Sequence, residues 1–232
     1  MKKILLGTAL LLSSSTLFAQ STTMTGSDAR IGIKAGVNLS TVRYSGSDYA
    51  NEVNDHTKSN IGYNFTVYGD FGVGNNFFIQ PGITLQNKGT KVEMSETLGG
   101  TTTSLTSKID VMSIDVPVNA VLRIPTGQTG AFQISAGPYI GFNIDGKRKE
   151  TVSDGTNSLT DKDDLSFGSG QNDDVSSMDF GANFGLGYRL NNGFTIGANY
   201  GLGLSNLVPK DNRTGDEKAT SRIIGFSIGY SF

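Results

Sequence analysis

The sequence predicts an all-β protein, an eight-stranded antiparallel up-and-down transmembrane β-barrel. Three observations carry that expectation. First, the stretch 178–232 alternates with period two through DFGANFGLGYRL, FTIGANYGLGL and IIGFSIGYSF, the periodicity of strands with two unlike environments. Second, the two faces are the wrong way round for a water-soluble sheet. Phe180, Phe184, Leu186 and Tyr188 share one side, and Phe194, Ile196 and Tyr200 repeat it, while the other side holds glycine and small polar residues. Such a side makes a poor solvated surface but suits the crowded inside of a narrow barrel, leaving the large apolar face to lipid. Third, the connections alternate long and short, beginning and ending long. Short turns on one side, longer loops on the other and an even strand count are the pattern of transmembrane barrels.

Taken in order, Lys2 and Lys3, the apolar run 4–12 and small residues up to Ala19 read as a secretory signal peptide over 1–19. The run is too short to span a bilayer as a helix. Residues 20–29 are polar and read as a periplasmic lead-in, with the barrel domain over 30–232. The first strand, 30–42, sets Ile31, Ile33, Val37 and Leu39 outward and Lys34 and Asn38 inward. The second, 60–72, sets Tyr63, Phe65 and Val67 outward, with Tyr68 and Asp70 inward. In the third, 77–88, Pro81 lacks the ladder donor and predicts a bulge or local break. Residues 89–107, with Gly99-Gly100 at their middle, read as a hairpin extension beyond the bilayer.

In the fourth strand, 108–124, Ile109 and Val111 are odd-numbered, but Ile114, Val116, Val118 and Leu122 are even. That parity change predicts a β-bulge at Met112-Ser113, with Ile109 and Val111 facing lipid above it. The fifth strand, 131–144, puts Phe132, Ile134, Ile140 and Phe142 outward, and the longest loop follows over 145–177. Outward aromatics then form two belts. Phe71, Phe77, Phe132, Tyr188, Phe194, Tyr230 and Phe232 lie at the periplasmic ends, and Tyr44, Tyr63, Phe142 and Phe180 at the outer ends, as an interfacial girdle requires.

Composition fits one all-β domain: 232 residues, 31 glycines and no tryptophan. The chain has no cysteine, which removes a lipoprotein anchor, disulfides and thiolate chemistry. A net charge of −2 gives no case for a nucleic-acid partner. A mean hydropathy of −0.19 looks soluble, but alternating strands average away a membrane signal.

The stretches SIDVPVNAVLRI, FQISAGPYIGFNI, MDFGANFGLGYRL and ANYGLGLSNL resemble, in order and spacing, the outer-membrane β-barrel domain common in Bacteroidetes. That family is often labelled PorT-like and consists of small OmpA/OmpX-type eight-stranded barrels. The resemblance covers nearly the whole mature chain and implies a cell outer membrane location. Phe226, Ile228, Tyr230 and Phe232 also look like the C-terminal signal read by the barrel-assembly machinery, which would be a partner during biogenesis along with outer-membrane lipid.

Several residues invite chemical readings. His56, the only histidine, has Asp48, Glu52 and Asp55 nearby, but no positioned partner or pocket, so it reads as a solvated loop residue. Asp154, Asp161, Asp163, Asp164, Asp173 and Asp174 crowd the longest loop without the spacing of a calcium-binding EF-hand. Gly185, Gly187, Gly201 and Gly203 sit inside strands with no following helix, so they read as lumen packing rather than a nucleotide loop. No catalytic, cofactor-binding or metal-binding residue is expected, and no cofactor.

The inward charges say more. Lys34, Lys88, Arg123 and Arg189 share the lumen face with Asp70, Asp115 and Asp179, and such charges must pair or meet lumen water. The expected pairs are Lys34 with Asp70, with Arg123 and Arg189 as competitors, and Lys88 with Asp110 or Asp115. The plain expectation is a non-enzymatic structural or binding barrel with a plugged lumen, whose outer loops meet an extracellular or envelope partner. The resemblance implies an alternative, a PorT-like accessory in protein secretion or envelope assembly. A membrane-embedded hydrolase or acyltransferase lacks any supporting constellation.

Overall fold

The computed structural model describes residues 29–98 and 101–232. The expected signal peptide and all of the lead-in except Ala29 lie outside them. Among the described residues there are nine strands: β1 (Arg30–Ser45), β2 (Thr57–Gly74), β3 (Phe77–Leu98), β4 (Thr101–Pro125), β5 (Gly130–Ser153), β6 (Ser158–Asp164), β7 (Met178–Leu190), β8 (Phe194–Gly203) and β9 (Lys218–Ser231). Eight close into a ring, β1-β2-β3-β4-β5-β7-β8-β9, every neighbouring pair antiparallel, with β9 returning to β1. The ninth, β6, folds back on the upper part of β5 outside the ring. A short helix, α1 (Ala50–His56), fills the first long loop. The side-chain amide of Asn54 fastens it by bonding both the N–H and the carbonyl of Tyr44, at 2.9 and 2.8 Å.

The faces are inverted, as the alternation requires. Ile31, Tyr63, Phe65, Leu186, Ile196 and Ile228 are exposed on the outside of the ring, whereas Asn38, Asp70, Asp115, Arg123 and Asp179 are buried within it. In water such a surface would aggregate, but against hydrocarbon it is the stable solution. A charge turned onto the lipid face at mid-bilayer costs about 2–4 kcal/mol. Edge-to-face pairs Phe132–Tyr188, Phe194–Tyr230 and Tyr230–Phe232, with ring centroids 5.0–5.1 Å apart, form the belt at the turn end. At the other end Tyr44 departs from expectation. It points inward and lines a cavity at the barrel mouth, so the outer belt does not include it.

Tight turns join the strands at the belt end. Asn76 adopts φ 66°, the one positive-φ non-glycine described, and Gly193 adopts φ 96°, conformations that asparagine and glycine tolerate best. Around Pro81 the β2–β3 ladder is interrupted between Tyr68↔Gly82 and Phe71↔Ile79 without a change of register. Similar gaps adjoin Pro117 and Pro138 in the β4–β5 ladder. These are local breaks, as a missing backbone donor requires.

The fourth strand corrects the expected bulge. A register shift does fall at Met112/Ser113 in the β4–β5 ladder, but the extra residue is Ile144 of β5, between the pairs Ser113↔Asn143 and Met112↔Asp145. β4 itself alternates without a break. Val111, Ser113, Asp115 and Val121 are all buried, and Ile109 and Val111 face the lumen, not lipid.

Above the ring, β3 and β4 stay paired up to Leu98↔Thr101, bracketing Gly99-Gly100, which lie outside the described residues. β5 and β6 pair alongside them. The extended hairpin expected over 89–107 is therefore half of a four-stranded sheet, β3-β4-β5-β6, standing above one side of the barrel.

Candidate functional site

The inward charges separate into two networks at different heights. At the turn end, Asp70 (1 % exposed) accepts hydrogen bonds from Arg123 at 2.6 Å and Gln80 at 3.0 Å. The Arg123 guanidinium lies 3.7 Å over the Phe78 ring. With its amide oxygen turned toward that guanidinium, Gln133 accepts from Arg123 Nε at 2.8 Å. Lys34 does not pair with Asp70 as expected. On the paired strands Lys34 sits opposite Thr66, and Asp70 sits opposite Arg30. That offset is four residues, roughly 13 Å along a strand. Lys34 instead places its ammonium 4.4 Å from the Tyr68 ring centroid. Arg189 bonds Ser231 through Nε and a terminal nitrogen at 3.2 and 2.9 Å.

The upper network is centred on Lys88, which bridges Asp179 at 3.1 Å and Asp115 at 3.4 Å. Asp179 is fully buried and also accepts from Ser205 at 2.6 Å and from Tyr139 and Ser221, each at 3.1 Å. Gln86 and Ser113 donate to Asp115. Asp110, the other expected partner of Lys88, pairs with Lys108 at 2.9 Å and accepts from Asn60 at 2.6 Å. Gln80, Gln86, Tyr139, Ser205 and Ser221 were not singled out in the sequence. Apart from Ser205, which lies beyond its strand, they carry only the signal of inward parity.

Two cavities flank this upper layer. A polar one of about 140 Å³ lies below it, with Asp115, Gln86, Asn119 and Thr195 in its wall. One of about 220 Å³ lies above, with Lys88 and Asp179 in its floor and largely apolar walls. The roof is built from the third and fourth long loops, whose backbones interlock. Ser176 N–H donates to the Leu207 carbonyl at 2.8 Å, and Asp211 N–H to the Ser169 carbonyl at 3.0 Å. Asp174 ties the third loop to the wall, accepting from Arg148 at 3.0 Å, from Ser166 N–H at 3.0 Å and from the Ser166 hydroxyl at 2.9 Å. The Ser166 backbone N–H, first among these, holds the Asp174 carboxyl below the usual carboxylate range.

The raised sheet carries two ordered rows. Met94, Leu105, Val152 and Leu159 are directly paired across its four strands, and all four are exposed, Leu159 to 78 %. On the opposite face Lys58, Lys91, Lys108, Lys149 and Lys162 form a continuous cross-strand row that reaches β2. Glu93 answers Lys91 and Asp110 answers Lys108, and Lys91 in turn holds the Glu93 carboxyl low. Like charges set directly opposite one another disfavour a sheet, so folding alone gives no reason to align these lysines.

The remaining candidates lie apart. His56 ends α1, exposed. Asp161, Asp163 and Asp164 lie on the fully exposed β6. Asp154 closes its own turn onto Thr156 and Asn157 at 2.9 and 2.6 Å, and Asp173 accepts from Gly170 N–H at 2.7 Å. Among the described residues no three metal-ligating side chains converge.

A closed ring with an apolar exterior, a charged interior, tight turns at one end and long loops at the other defines a transmembrane β-barrel. The chain belongs to the outer membrane protein beta-barrel domain family, whose profile matches residues 18–208, and it resides in the outer membrane. The long loops and raised sheet are therefore extracellular and the turns periplasmic. The family match is broader than the PorT-like resemblance. No curated protein matches. Among solved structures the chain is similar to the attachment invasion locus protein Ail of Yersinia pestis, solved in complex with the heparin analogue sucrose octasulfate. Identity there is 16 % and TM-score 0.36, over 88 % of this chain and 99 % of that one. It is also similar to Neisserial surface protein A, with 11 % identity and TM-score 0.38 over 87 % and 95 %.

Proposed function

We propose that this protein is a non-enzymatic binding barrel with a plugged lumen, and that it meets its partner through the sheet raised above the membrane. The observation that carries this reading is the exposed cross-strand row Met94–Leu105–Val152–Leu159. Burying a leucine side chain is worth about 1.5–3 kcal/mol, so four aligned apolar groups held in water mark a contact surface rather than a solvated one. The lysine row behind them supplies the complement for an anionic surface polymer. A plugged lumen is supported by the Lys88–Asp115–Asp179 layer between two separate cavities. Outer-membrane lipid bathes the ring, and the barrel-assembly machinery reads Phe226, Ile228, Tyr230 and Phe232 during insertion.

The test is a deletion strain complemented either with the wild-type chain or with one whose two upper hairpins are shortened, β3–β4 to the Lys91–Lys108 level and β5–β6 to the Lys149–Lys162 level. Both proteins should insert and shift mobility on heating, and only the wild type should restore surface attachment. Full restoration by the shortened chain would overturn the assignment. A deletion that halts secretion while leaving attachment intact would favour the PorT-like accessory role instead.

A further inference from the structure

The upper cavity has the features of a ligand site, independently of what the raised sheet binds. Its walls are largely apolar, with Ile109 and Val111 from β4, Ala219 from β9, and Val175, Leu207 and Val208 from the roofing loops, beside Asp174, which is paired with Arg148. Two polar groups in that wall have no hydrogen-bond partner among the described residues, the Thr90 hydroxyl and the Asn143 side-chain carbonyl. Their residues are 2 % and 8 % exposed. The orientation of the Asn143 amide is fixed, because its nitrogen donates to the Ser176 carbonyl at 2.8 Å. The oxygen is therefore the end left over. A buried, unmatched polar atom is costly, and here two occur in one apolar chamber.

The floor sets the sign of the head group. One ammonium, Lys88, faces two carboxylates, Asp115 and Asp179, so this cluster has one excess negative charge and repels an anion. Asn143 offers only an acceptor, which calls for a donor. The size follows from volume. An apolar cavity of about 150 Å³ accommodates benzene, so 220 Å³ suits a ring or short chain with a small head, roughly nine heavy atoms by that yardstick.

We propose that this chamber binds a small amphiphile, its apolar body against Val111 and Leu207, and its hydroxyl or primary amine head donating to Asn143 Oδ1 with Thr90 as second partner. The site lies above the Lys88 layer, so the ligand enters from the outside through the loop roof.

The experiment is thermal unfolding of the full mature barrel in detergent, titrated with 2-phenylethanol, 2-phenylethylamine and, as the anionic counterpart, phenylacetate. The alcohol and the amine should each raise the melting temperature saturably, and phenylacetate should not. Val111→Phe fills the chamber with an apolar ring, and Ala219→Leu does so from the opposite wall. Whichever folds should abolish the saturable shift while leaving unchanged any effect of probe dissolved in the micelle. Thr90→Val should weaken the response several-fold. Absence of a saturable shift with all three probes, a shift that survives the filled chamber, or a preference for phenylacetate would each overturn the proposal.

Discussion

Replacing Asp70 by alanine strips a carboxylate from the periplasmic half of the lumen and leaves Arg123 beside it. The carboxylate is almost wholly buried and holds Arg123 at 2.6 Å and Gln80 at 3.0 Å. Arg123 keeps Phe78 and Gln133, but neither carries a compensating charge. Breaking one side of a buried pair typically costs about 3–5 kcal/mol. In a chain of this length that lowers the melting temperature by about 6–20 °C. Asp163→Ala on the exposed β6 provides the control and should leave melting nearly unchanged, because that side chain is solvated and an exposed charge contributes little. The assay is the heat-dependent mobility shift of the detergent-folded barrel. A second arm separates charge from packing. Asp70→Leu combined with Arg123→Met removes both desolvation penalties and should recover most of the loss. Equal melting of Asp70→Ala and Asp163→Ala, or a double variant worse than the single one, would refute the reasoning.

Cysteine scanning with a lipid-soluble label should find an unbroken alternation through 107–118 of β4, and a slip of one residue in β5 across Asn143 to Asp145. Because the Asp174 carboxyl is held low in the folded protein, its stabilising contribution is present above the unfolded carboxylate value and is lost as pH falls through the folded one. Hydrogen-exchange protection in 165–177, corrected for the intrinsic pH dependence of exchange, should therefore be flat from neutrality down to about pH 4 and fall below it. Asp174→Asn should lower it near neutrality and remove that pH dependence. Phe232 packs on Tyr230 at 5.0 Å, and its N–H donates to the Ile31 carbonyl at 2.8 Å. Phe232→Ala should cut the yield of assembled barrel in cells while leaving folding of the purified chain in detergent nearly unchanged.

Much of the ring was legible because lipid outside and polar packing inside write opposite signals at alternate positions. The inward placement of Lys88, Asp115 and Asp179 follows from parity alone. The pattern misled where the lumen itself is apolar. Ile109 and Val111 look lipid-facing by chemistry but line the chamber beneath the loops, and that error displaced the extra residue from β5 to β4. After Ile144 the run DGKRKE is polar at every position, so it carries no parity with which to locate the slip. β6 is equally silent, since all seven of its residues are exposed. For Asp70, parity leaves Lys34, Arg123 and Arg189 in competition, and register decides it: Lys34 lies four residues off Asp70 along the paired strands, while Arg123 reaches Asp70 from two strands away.

Ring closure falls to β1 and β9, paired from Gly32↔Ser231 to Ser45↔Lys218. These partners stand at opposite extremes of the described chain, so the contact that abolishes the ring's free edges also has the largest loop to close. Such non-local pairing is slow to form. Until β9 arrives, β1 presents an unpaired, apolar-sided edge, open to any strand it meets. The polypeptide therefore has to be shielded in transit until β9 has paired with β1 in the membrane. Once closed, the ring has no edge from which to unzip within the bilayer, so its lifetime in the membrane is governed by the height of the barrier to reopening that one seam.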